Sequence, residues 1–167
     1  MSVSHHLREA IPDTDVPDGG ESSFRRILIP VRSPSESAEA LAVGARVCRS
    51  TINGVLRLIH IRIYDPPMRG CPGRFYPETV AEAAAMVDEA LLIVWGSGAQ
   101  ASTSVMDAPR GEVAAAIVQH ASAWRADVIV LTRRRRLAIS RMVLGSVADR
   151  VMRMATCPVL AVHPKRN

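Results

Sequence analysis

Hydrophobic residues along this chain form short continuous runs, separated by longer segments in which apolar residues recur every three or four positions. Short continuous runs are typical of strands buried on both faces of a sheet, whereas the longer recurrence is typical of helices that bury one side. The pattern therefore predicts five strands, at residues 27–31, 55–63, 103–106, 128–131 and 158–162.

The intervening segments carry signals for helix ends. Ser35 or Ser37 is expected to cap the first helix, because a serine side chain can accept a hydrogen bond from the backbone of the first turn. Thr79 with Glu82 has the spacing of a capping box, which predicts the start of a second helix there. A third helix is expected after Pro109.

The last helix is predicted to begin at Ser146, with Val147, Val151 and Met154 facing inward at helical spacing. Strands that alternate with helices in this way indicate a parallel sheet with right-handed crossovers. The fold class is therefore α/β, with three layers (α/β/α) and a five-stranded parallel sheet. Ligands of such folds bind at the carboxyl ends of the strands, here beside Arg32, Arg62 and Thr132.

Length and composition favour one folded domain. The chain has 167 residues and is 48% hydrophobic, enough for a core, and no apolar run approaches the roughly 18 residues that span a bilayer. We expect a flexible arm over residues 1–24, the domain over 25–163 and a short tail over 164–167. With no apolar signal core near the N-terminus, a cytoplasmic protein without membrane contact is expected.

The sequence contains no recognisable catalytic or metal-binding motif. Its three cysteines are far apart, which argues against a disulfide framework or a zinc site, and Cys48 and Cys157 are interpreted as small buried hydrophobes. His60 lies in a buried strand, where a core histidine satisfied by hydrogen bonds is expected. We therefore predict neither a bound metal nor an enzyme.

The charge is positive, and much of the excess comes from four consecutive arginines, Arg133–Arg136. The net charge of +5 indicates attraction to polyanions in general. Aromatic residues make up only 4% of the chain, which argues against a nucleic-acid binder that stacks bases, so nucleic acid is not the preferred partner. The simplest interpretation of the arginine run is a solvated surface loop.

Five blocks of sequence resemble the universal stress protein family over nearly all of residues 25–163. They are RILIPV at 26–31, LIHI at 58–61, ADVIVL at 126–131, LGSVADRV at 144–151 and CPVLAV at 157–162. The order and spacing of the last two blocks are the most specific part. The resemblance implies a flavodoxin-like fold of the adenine nucleotide alpha hydrolase-like type and a role in stress tolerance without a defined catalytic step. It also implies a homodimer formed through the last strand, by Val159, Leu160, Ala161 and Val162.

The resemblance also implies where a nucleotide would bind. Members that bind ATP share a loop with a glycine, two residues, a second glycine, nine residues, and then glycine followed by Ser or Thr. Counting back from Gly145 places Arg135 and Thr132 on the two glycine positions, and the family's acidic residue after the first strand falls on Arg32. The nucleotide or anion site implied for this chain comprises Pro30, Val31, Arg32, Ser33, Ile61, Thr132, Arg133, Arg135, Arg136, Gly145, Ser146 and Val147.

Two interpretations of this loop remain. A bulky residue forced into a glycine conformation costs about 1–3 kcal/mol, whereas a charge-assisted contact between arginine and phosphate contributes about 1.5–3 kcal/mol. Loss of both glycines and of the acid favours a degenerate ATP site, with ATP or AMP as candidate ligands and no cofactor assigned. The alternative is an altered site for a nucleotide, phosphate or polyanion that uses Arg133–Arg136.

Overall fold

One sheet with helices on both faces makes up the described part of the chain. The computed structural model describes residues 24–67, 73–133 and 147–163, together with the backbone of residues 6–8. The strands are β1 (His6–Arg8), β2 (Arg26–Pro30), β3 (Val55–Tyr64), β4 (Ala101–Pro109), β5 (Val128–Thr132) and β6 (Val159–Val162). The helices are α1 (Pro34–Ser50), α2 (Val80–Gly96), α3 (Val113–Ala123) and α4 (Val147–Met154).

The strand order is β1-β4-β3-β2-β5-β6, and β2 to β6 are all parallel. The predicted five-stranded parallel sheet is therefore confirmed. The chain moves from β2 to β3 on one side and later places β5 on the other side of β2. This reversal leaves a crevice between β2 and β5 at the edge where the parallel strands end, which we call the carboxyl edge.

The short strand β1 pairs antiparallel with β4, with His6 opposite Val105 and Arg8 opposite Thr103. Three residues of the expected flexible arm, 6–8, therefore pair with the sheet through their backbone. The hydrophobic pattern cannot predict this strand, because a three-residue edge strand that pairs through its backbone needs no apolar run. The predicted domain boundaries stay a prediction.

Each face of the sheet buries its own apolar core. Ile27, Ile29, Leu56 and Leu58 pack towards α1 and α2, in a first cluster that also contains Val128 and Val130. Leu28, Ile59, Ile61, Ile129 and Leu131 pack towards α3 and α4 in a second cluster. Successive side chains in a strand point to opposite faces, so the apolar runs of β2, β3 and β5 supply both layers. None of the described helices is long and apolar enough to cross a membrane.

Several predicted boundaries need correction. Ser33, rather than Ser35 or Ser37, caps α1 and accepts a hydrogen bond from the Glu36 amide at 3.2 Å. The predicted capping box of α2 is confirmed. The third predicted strand, at residues 103–106, corresponds to β4 and is longer than expected, with nine residues. Its serine, threonine and aspartate residues interrupt the apolar pattern, so the pattern does not reveal its full length.

The inward face of α4 is also different from the prediction. Val147 and Met154 are exposed, and Ala148 and Val151 are the residues that the helix buries. The α3–α4 side of the core therefore receives one large side chain from α4, Val151, instead of three. The predicted cap, Ser146, lies outside the described residues.

Candidate functional site

The crevice at the carboxyl edge lies between the ends of β2 and β5. Ile27 pairs with Val128 and Leu28 with Ile129, so the same register, extended along the strands, brings Val31 level with Thr132. The Thr132 hydroxyl is buried and has no hydrogen-bond partner among the residues that the structure describes. A buried hydroxyl of this kind can serve a small ligand or a water molecule.

Backbone groups that follow β2 are engaged within the protein. The Val31 amide donates to the Ile59 carbonyl at 2.7 Å, and the Val31 carbonyl lies 2.8 Å from His60 Nδ1. The Arg32 amide donates to the Ser37 hydroxyl at 3.2 Å. Ser37 is buried. The Val31 amide, the Val31 carbonyl and the Arg32 amide of the crevice wall therefore already have hydrogen-bond partners within the protein.

The side chain of Arg32 lies along the start of α1. Its Nε is 3.1 Å from Glu36 Oε2, and 71% of the side chain is exposed. Ser33, the neighbouring residue of the predicted site, is occupied as the cap of α1. A pair this exposed is screened by water and contributes at most about 1 kcal/mol, so Arg32 can exchange Glu36 for another anion at little cost.

On the β5 side, Arg133 is held by both α4 and β6. Its guanidinium lies 3.2 Å from the Asp149 carboxylate in the first turn of α4, and its amide donates to the Val162 carbonyl at 2.7 Å. Val147, the first residue of α4 and two positions before Asp149, is exposed. Four other predicted site residues, Arg135, Arg136, Gly145 and Ser146, lie outside the described residues.

The sheet separates the remaining predicted site residues. Ile61 is buried in the core on the α3–α4 side, and the alternation of β2 places Pro30 on that side with Leu28. Val31 packs into the core on the α1–α2 side. Because successive side chains of β5 alternate between the two faces of the sheet, the Thr132 side chain lies on the same face as that of Val130, the α1–α2 side. The predicted residues thus surround the crevice from both faces.

Next to the crevice, β3 and β4 run on past the end of β2. Pairing of β2 with β3 stops at Pro30 and Ile59, whereas β3 and β4 stay paired to Tyr64 and Pro109. We call residues 60–64 of β3 and 105–109 of β4 the β3–β4 extension. At about 3.3 Å per residue it projects roughly 16 Å beyond β2.

A charged pair lies at the centre of this extension. Arg62 donates two hydrogen bonds to the Asp107 carboxylate, at 2.9 and 3.1 Å, and the Tyr76 hydroxyl donates to the same carboxylate at 3.1 Å. The Arg62 guanidinium also lies over the Tyr76 ring, 4.2 Å from its centroid. The hydrogen bond to Asp107 raises the pKa of Arg62 above its ordinary value. Arg62 was predicted beside the crevice, but it is committed to this pair.

Further contacts fasten the chain after β3 to the extension. The Asp65 and Phe75 backbones exchange two hydrogen bonds, at 3.0 and 3.3 Å. Arg110 donates to the Asp65 carboxylate at 2.7 and 3.0 Å, and these bonds lower the pKa of Asp65. Residues 73–77 lie against the extension, and 68–72 are outside the described residues.

His60 lies at the base of the extension, buried as expected. Its Nδ1 faces the Val31 carbonyl, and its Nε2 lies 2.7 Å from Glu78 Oε2. The predicted core histidine is thus confirmed, with both ring nitrogens engaged. Sequence reasoning missed Glu78, because it lies eighteen positions after His60 and no periodic pattern links the two.

The described residues include no cluster of histidine, cysteine and acidic side chains that could hold a metal ion. Cys48 is buried, and burial raises the pKa of its thiol, as expected for a small core residue. Cys157 is half-buried, and the same effect raises its thiol pKa. Neither thiol is therefore primed as a nucleophile.

Strand β6 ends the sheet on the β5 side. Leu160 is exposed to 41%, and Val159, Ala161 and Val162 are half-buried. These four residues were predicted as a dimer interface. An edge strand with an exposed apolar side chain has the geometry that pairing with a second chain requires.

Comparisons with known proteins agree with this architecture. A model of the universal stress protein family matches residues 23–163. A universal stress protein of Methanocaldococcus jannaschii is 30% identical over 156 residues, which cover 89% of this chain and 88% of that protein.

Solved structures of similar proteins show the same fold. A universal stress protein from Archaeoglobus fulgidus superposes with a TM-score of 0.63 at 24% identity, covering 83% of this chain and 93% of that one. A structure of the universal stress protein from the same organism in complex with dAMP has a TM-score of 0.60 at 25% identity, with 83% and 98% covered. A universal stress protein in complex with cAMP has a TM-score of 0.57 at 21% identity, with 84% and 98% covered.

Proposed function

This chain belongs to the universal stress protein family, and we propose that it is a non-catalytic, cytoplasmic stress-response module whose nucleotide site no longer accepts the ordinary ATP pose. The observation that carries this proposal is that the residues following β2 in the crevice wall already have partners within the protein. Arg32 stands there with its guanidinium on Glu36, and three neighbouring backbone groups are satisfied within the protein.

The β5 side of the crevice supports the same proposal. Thr132 occupies the position of the first loop glycine in the register counted from Gly145, and its Cβ and hydroxyl fill space that a glycine would leave open. Arg133, the next residue, is paired with Asp149 and is bound to β6 through its backbone. The exposed pair of Arg133 with Asp149 can change partner at little cost, so the Thr132 side chain is the part of this wall that would keep a phosphate from the backbone.

Isothermal titration calorimetry of the full chain with ATP, AMP, dAMP and cAMP tests this proposal. We expect ATP to bind more weakly than about 1 μM, which corresponds to roughly −8 kcal/mol. A variant that restores the family residues, Arg32→Asp with Thr132→Gly and Arg135→Gly, should bind ATP at least about tenfold more tightly, a gain of about 1.4 kcal/mol.

Arg46→Asp is the matched control, because it reverses an exposed charge on α1 away from the crevice. It should leave nucleotide binding unchanged. Binding of ATP by the parent chain at sub-micromolar concentration would contradict the proposal, and so would a restored variant that gains nothing.

A second candidate function is an altered anion site that uses the arginine run. It is favoured by the unpartnered buried hydroxyl of Thr132, within the described residues, next to the half-exposed Arg133. Inorganic phosphate and short DNA and RNA strands are the probes. Binding to the strands should weaken steeply with salt because counterions are released. A variant with alanine at all four positions of Arg133–Arg136 should lose this binding; equal binding by that variant would exclude the site.

We further propose that the chain forms a homodimer through β6. Support comes from the edge position of β6 and from the exposed Leu160. Native mass spectrometry should show a dimer for the parent and a monomer for Leu160→Glu, since a buried carboxylate would face the partner strand. Leu92→Glu, on the exposed side of α2, should leave the dimer intact. The same spectrum reports any co-purified nucleotide, and a monomeric parent would refute the proposed interface.

A further inference from the structure

The turn between α1 and β3 projects an apolar side chain into solvent. Ile52 is 81% exposed, more than any other large hydrophobic side chain that the structure describes. Because β3 begins three residues later at Val55, Ile52 lies at the edge where the parallel strands begin, which we call the amino edge. The Val55 amide donates to the Arg25 carbonyl at 2.7 Å, and this bond brings Phe24, itself 39% exposed, to the same turn.

The carboxyl end of α2 adds further apolar surface beside this turn. Trp95 is 46% exposed, and Leu92, one turn earlier, is 65% exposed. Arg49, in the last turn of α1, donates to the carbonyl of Ser97, the C-cap of α2, at 2.7 Å. This hydrogen bond joins the ends of the two helices next to the turn that carries Ile52.

Three arginines give the same edge positive charge. Arg49 and Arg125 are exposed, Arg25 is half-buried, and Arg125 lies in the turn between α3 and β5. No carboxylate of the described residues lies within ion-pair distance of these three guanidinium groups. The contact of Arg49 with a neutral carbonyl oxygen leaves its charge in place. Asp127, a carboxylate at this edge, accepts hydrogen bonds from the Arg25 and Arg26 amides, at 2.9 and 2.7 Å.

We propose that this surface docks on a lipid bilayer whose headgroups are anionic. We call it the basic corner, and it comprises Phe24, Arg25, Arg49, Ile52, Trp95 and Arg125. Arginines meet the phosphates of such a membrane, while aliphatic and tryptophan side chains enter the boundary between headgroups and acyl chains. Contact of this kind needs no spanning segment, so it revises the expectation of a chain without membrane contact. The amino edge is opposite the carboxyl edge, so docking is independent of the nucleotide crevice.

The exposed Ile52 favours a bilayer over other anionic partners. A nucleic acid also offers phosphates to arginines, but an aliphatic side chain can neither stack on a base nor donate a hydrogen bond to one. An acidic protein would need a pocket shaped for this projecting side chain, whereas a fluid bilayer accepts it without one. Arginines combined with exposed aliphatic and indole groups are typical of proteins that lie on a membrane surface.

The sequence also contains a competing source of negative charge. Residues 9–23, which lie outside the described residues, directly precede the basic corner in the chain. They contain five acidic side chains, those of Glu9, Asp13, Asp15, Asp18 and Glu21. Because these acids can compete with a membrane for the arginines, the experiment must distinguish a lipid surface from the chain's own carboxylates.

Sedimentation of the full chain with lipid vesicles tests the proposal. Vesicles that contain phosphatidylglycerol in phosphatidylcholine should bind the chain at least about tenfold more tightly than phosphatidylcholine alone, because each arginine near an anionic surface contributes roughly fivefold. Arg25→Gln with Arg125→Gln should weaken this binding at least about tenfold. Arg74→Gln with Arg110→Gln makes the same change of charge at exposed positions of the opposite edge. This control should bind as the parent does, because salt screens distant charges. Equal weakening by both double variants would assign binding to net charge alone and overturn the proposal.

Ile52→Ser tests the apolar part of the basic corner. The Ile52 side chain lies mostly in solvent, so its removal leaves the core intact. Binding to the anionic vesicles should weaken at least about threefold, because less apolar surface leaves water. Phe75→Ser removes an exposed apolar side chain from the opposite edge and should leave binding unchanged. If Ile52→Ser binds as tightly as the parent, insertion is excluded and the proposal fails.

Tryptophan fluorescence reports whether the basic corner itself enters the membrane. The chain has two tryptophans, and the ring of Trp124 is covered by the Arg57 guanidinium, 4.8 Å from its centroid. Anionic vesicles should shift the emission of the parent to shorter wavelength, and lipids with brominated acyl chains should quench it. Both effects should be absent from Trp95→Phe. Bound protein whose emission does not shift would overturn the proposal.

Two outcomes would assign the basic corner to another occupant. If the parent does not bind anionic vesicles, and binds them only after the five acids of residues 9–23 are replaced by their amides, the chain's own acidic segment occupies the corner. If the parent binds short DNA strands but no vesicles, and Arg25→Gln with Arg125→Gln abolishes that binding, the partner is a nucleic acid. Either result would overturn the proposal.

Discussion

The charged residues of the two halves of the carboxyl edge differ in their exposure to solvent. In the β3–β4 extension, Arg62 is only 11% exposed and makes two hydrogen bonds to Asp107. At the crevice, Arg32 is 71% exposed and its Nε lies 3.1 Å from Glu36 Oε2, and Arg133 is 47% exposed beside Asp149.

This contrast separates structural charges from charges that a ligand can recruit. Water and salt screen exposed pairs, so such pairs break at little cost, whereas a partly buried pair that loses one member leaves the other desolvated and unpaired. The extension is therefore a fixed wall. The crevice beside it keeps arginines that can change partner.

Removing Asp107 should have the largest effect on stability. In Asp107→Ala, the Arg62 guanidinium keeps its sheltered position but loses both hydrogen bonds, and Tyr76 loses the acceptor for its hydroxyl. We expect the free energy of unfolding to fall by about 2–3 kcal/mol. Urea denaturation followed by circular dichroism measures this change.

Asp65→Ala is the matched control for that variant. Asp65 also accepts two hydrogen bonds from an arginine, Arg110, but that pair is exposed to water. Its removal should shift the urea midpoint much less than Asp107→Ala does. Equal shifts for the two variants would abolish the distinction between fixed and exposed pairs.

Much of the fold is predictable because its signals are local. The apolar runs of β2, β3 and β5 and the capping box of Thr79 and Glu82 each lie within a few neighbouring residues. By contrast, Arg62 and Asp107 are 45 residues apart and meet only through the register of β3 with β4. Because β4 contains several polar residues, the apolar pattern does not reveal its length or its register with β3. The pair of Arg62 and Asp107 in the fixed wall could therefore not be predicted.

The candidate site is predictable to a similar, limited extent. Strand ends can be located from the pattern, so Arg32 and Thr132 were correctly expected at the carboxyl edge. The partners of these residues depend on packing: Glu36 is one helical turn away from Arg32, while Ser37 turns inward to accept the Arg32 amide. The pattern of apolar and polar residues does not predict that the Arg32 side chain pairs with Glu36 while its amide donates to Ser37.

Arg133→Ala tests the crevice side of the comparison, with a smaller expected effect. Asp149 would keep its favourable position in the first turn of α4, where the helix dipole attracts negative charge. The loss should therefore be at most about 1 kcal/mol of unfolding free energy. Because salt screens exposed pairs, the difference from the parent should shrink in about 1 M salt.

Chemical denaturation by urea at low and high salt measures this difference. The cost of Asp107→Ala should change much less with salt, since Arg62 is sheltered from solvent. A salt-independent loss for Arg133→Ala would place Arg133 among the fixed charges, and Arg133 would then not be free to change partner.

The smallest effect should come from Glu82, an exposed carboxylate on the extension side. The Thr79 amide and then the Thr79 hydroxyl donate to it, and these bonds lower its pKa from the ordinary value of 4.5. A carboxylate with a lowered pKa stabilises the folded state above its unfolded pKa, and this contribution disappears as pH falls through the folded pKa. Glu82→Gln should thus lower the Tm slightly at pH 7 and by less at pH 3. Equal Tm differences at both pH values for Glu82→Gln would mean that the capping box stabilises α2 through its geometry alone, without the charge of Glu82.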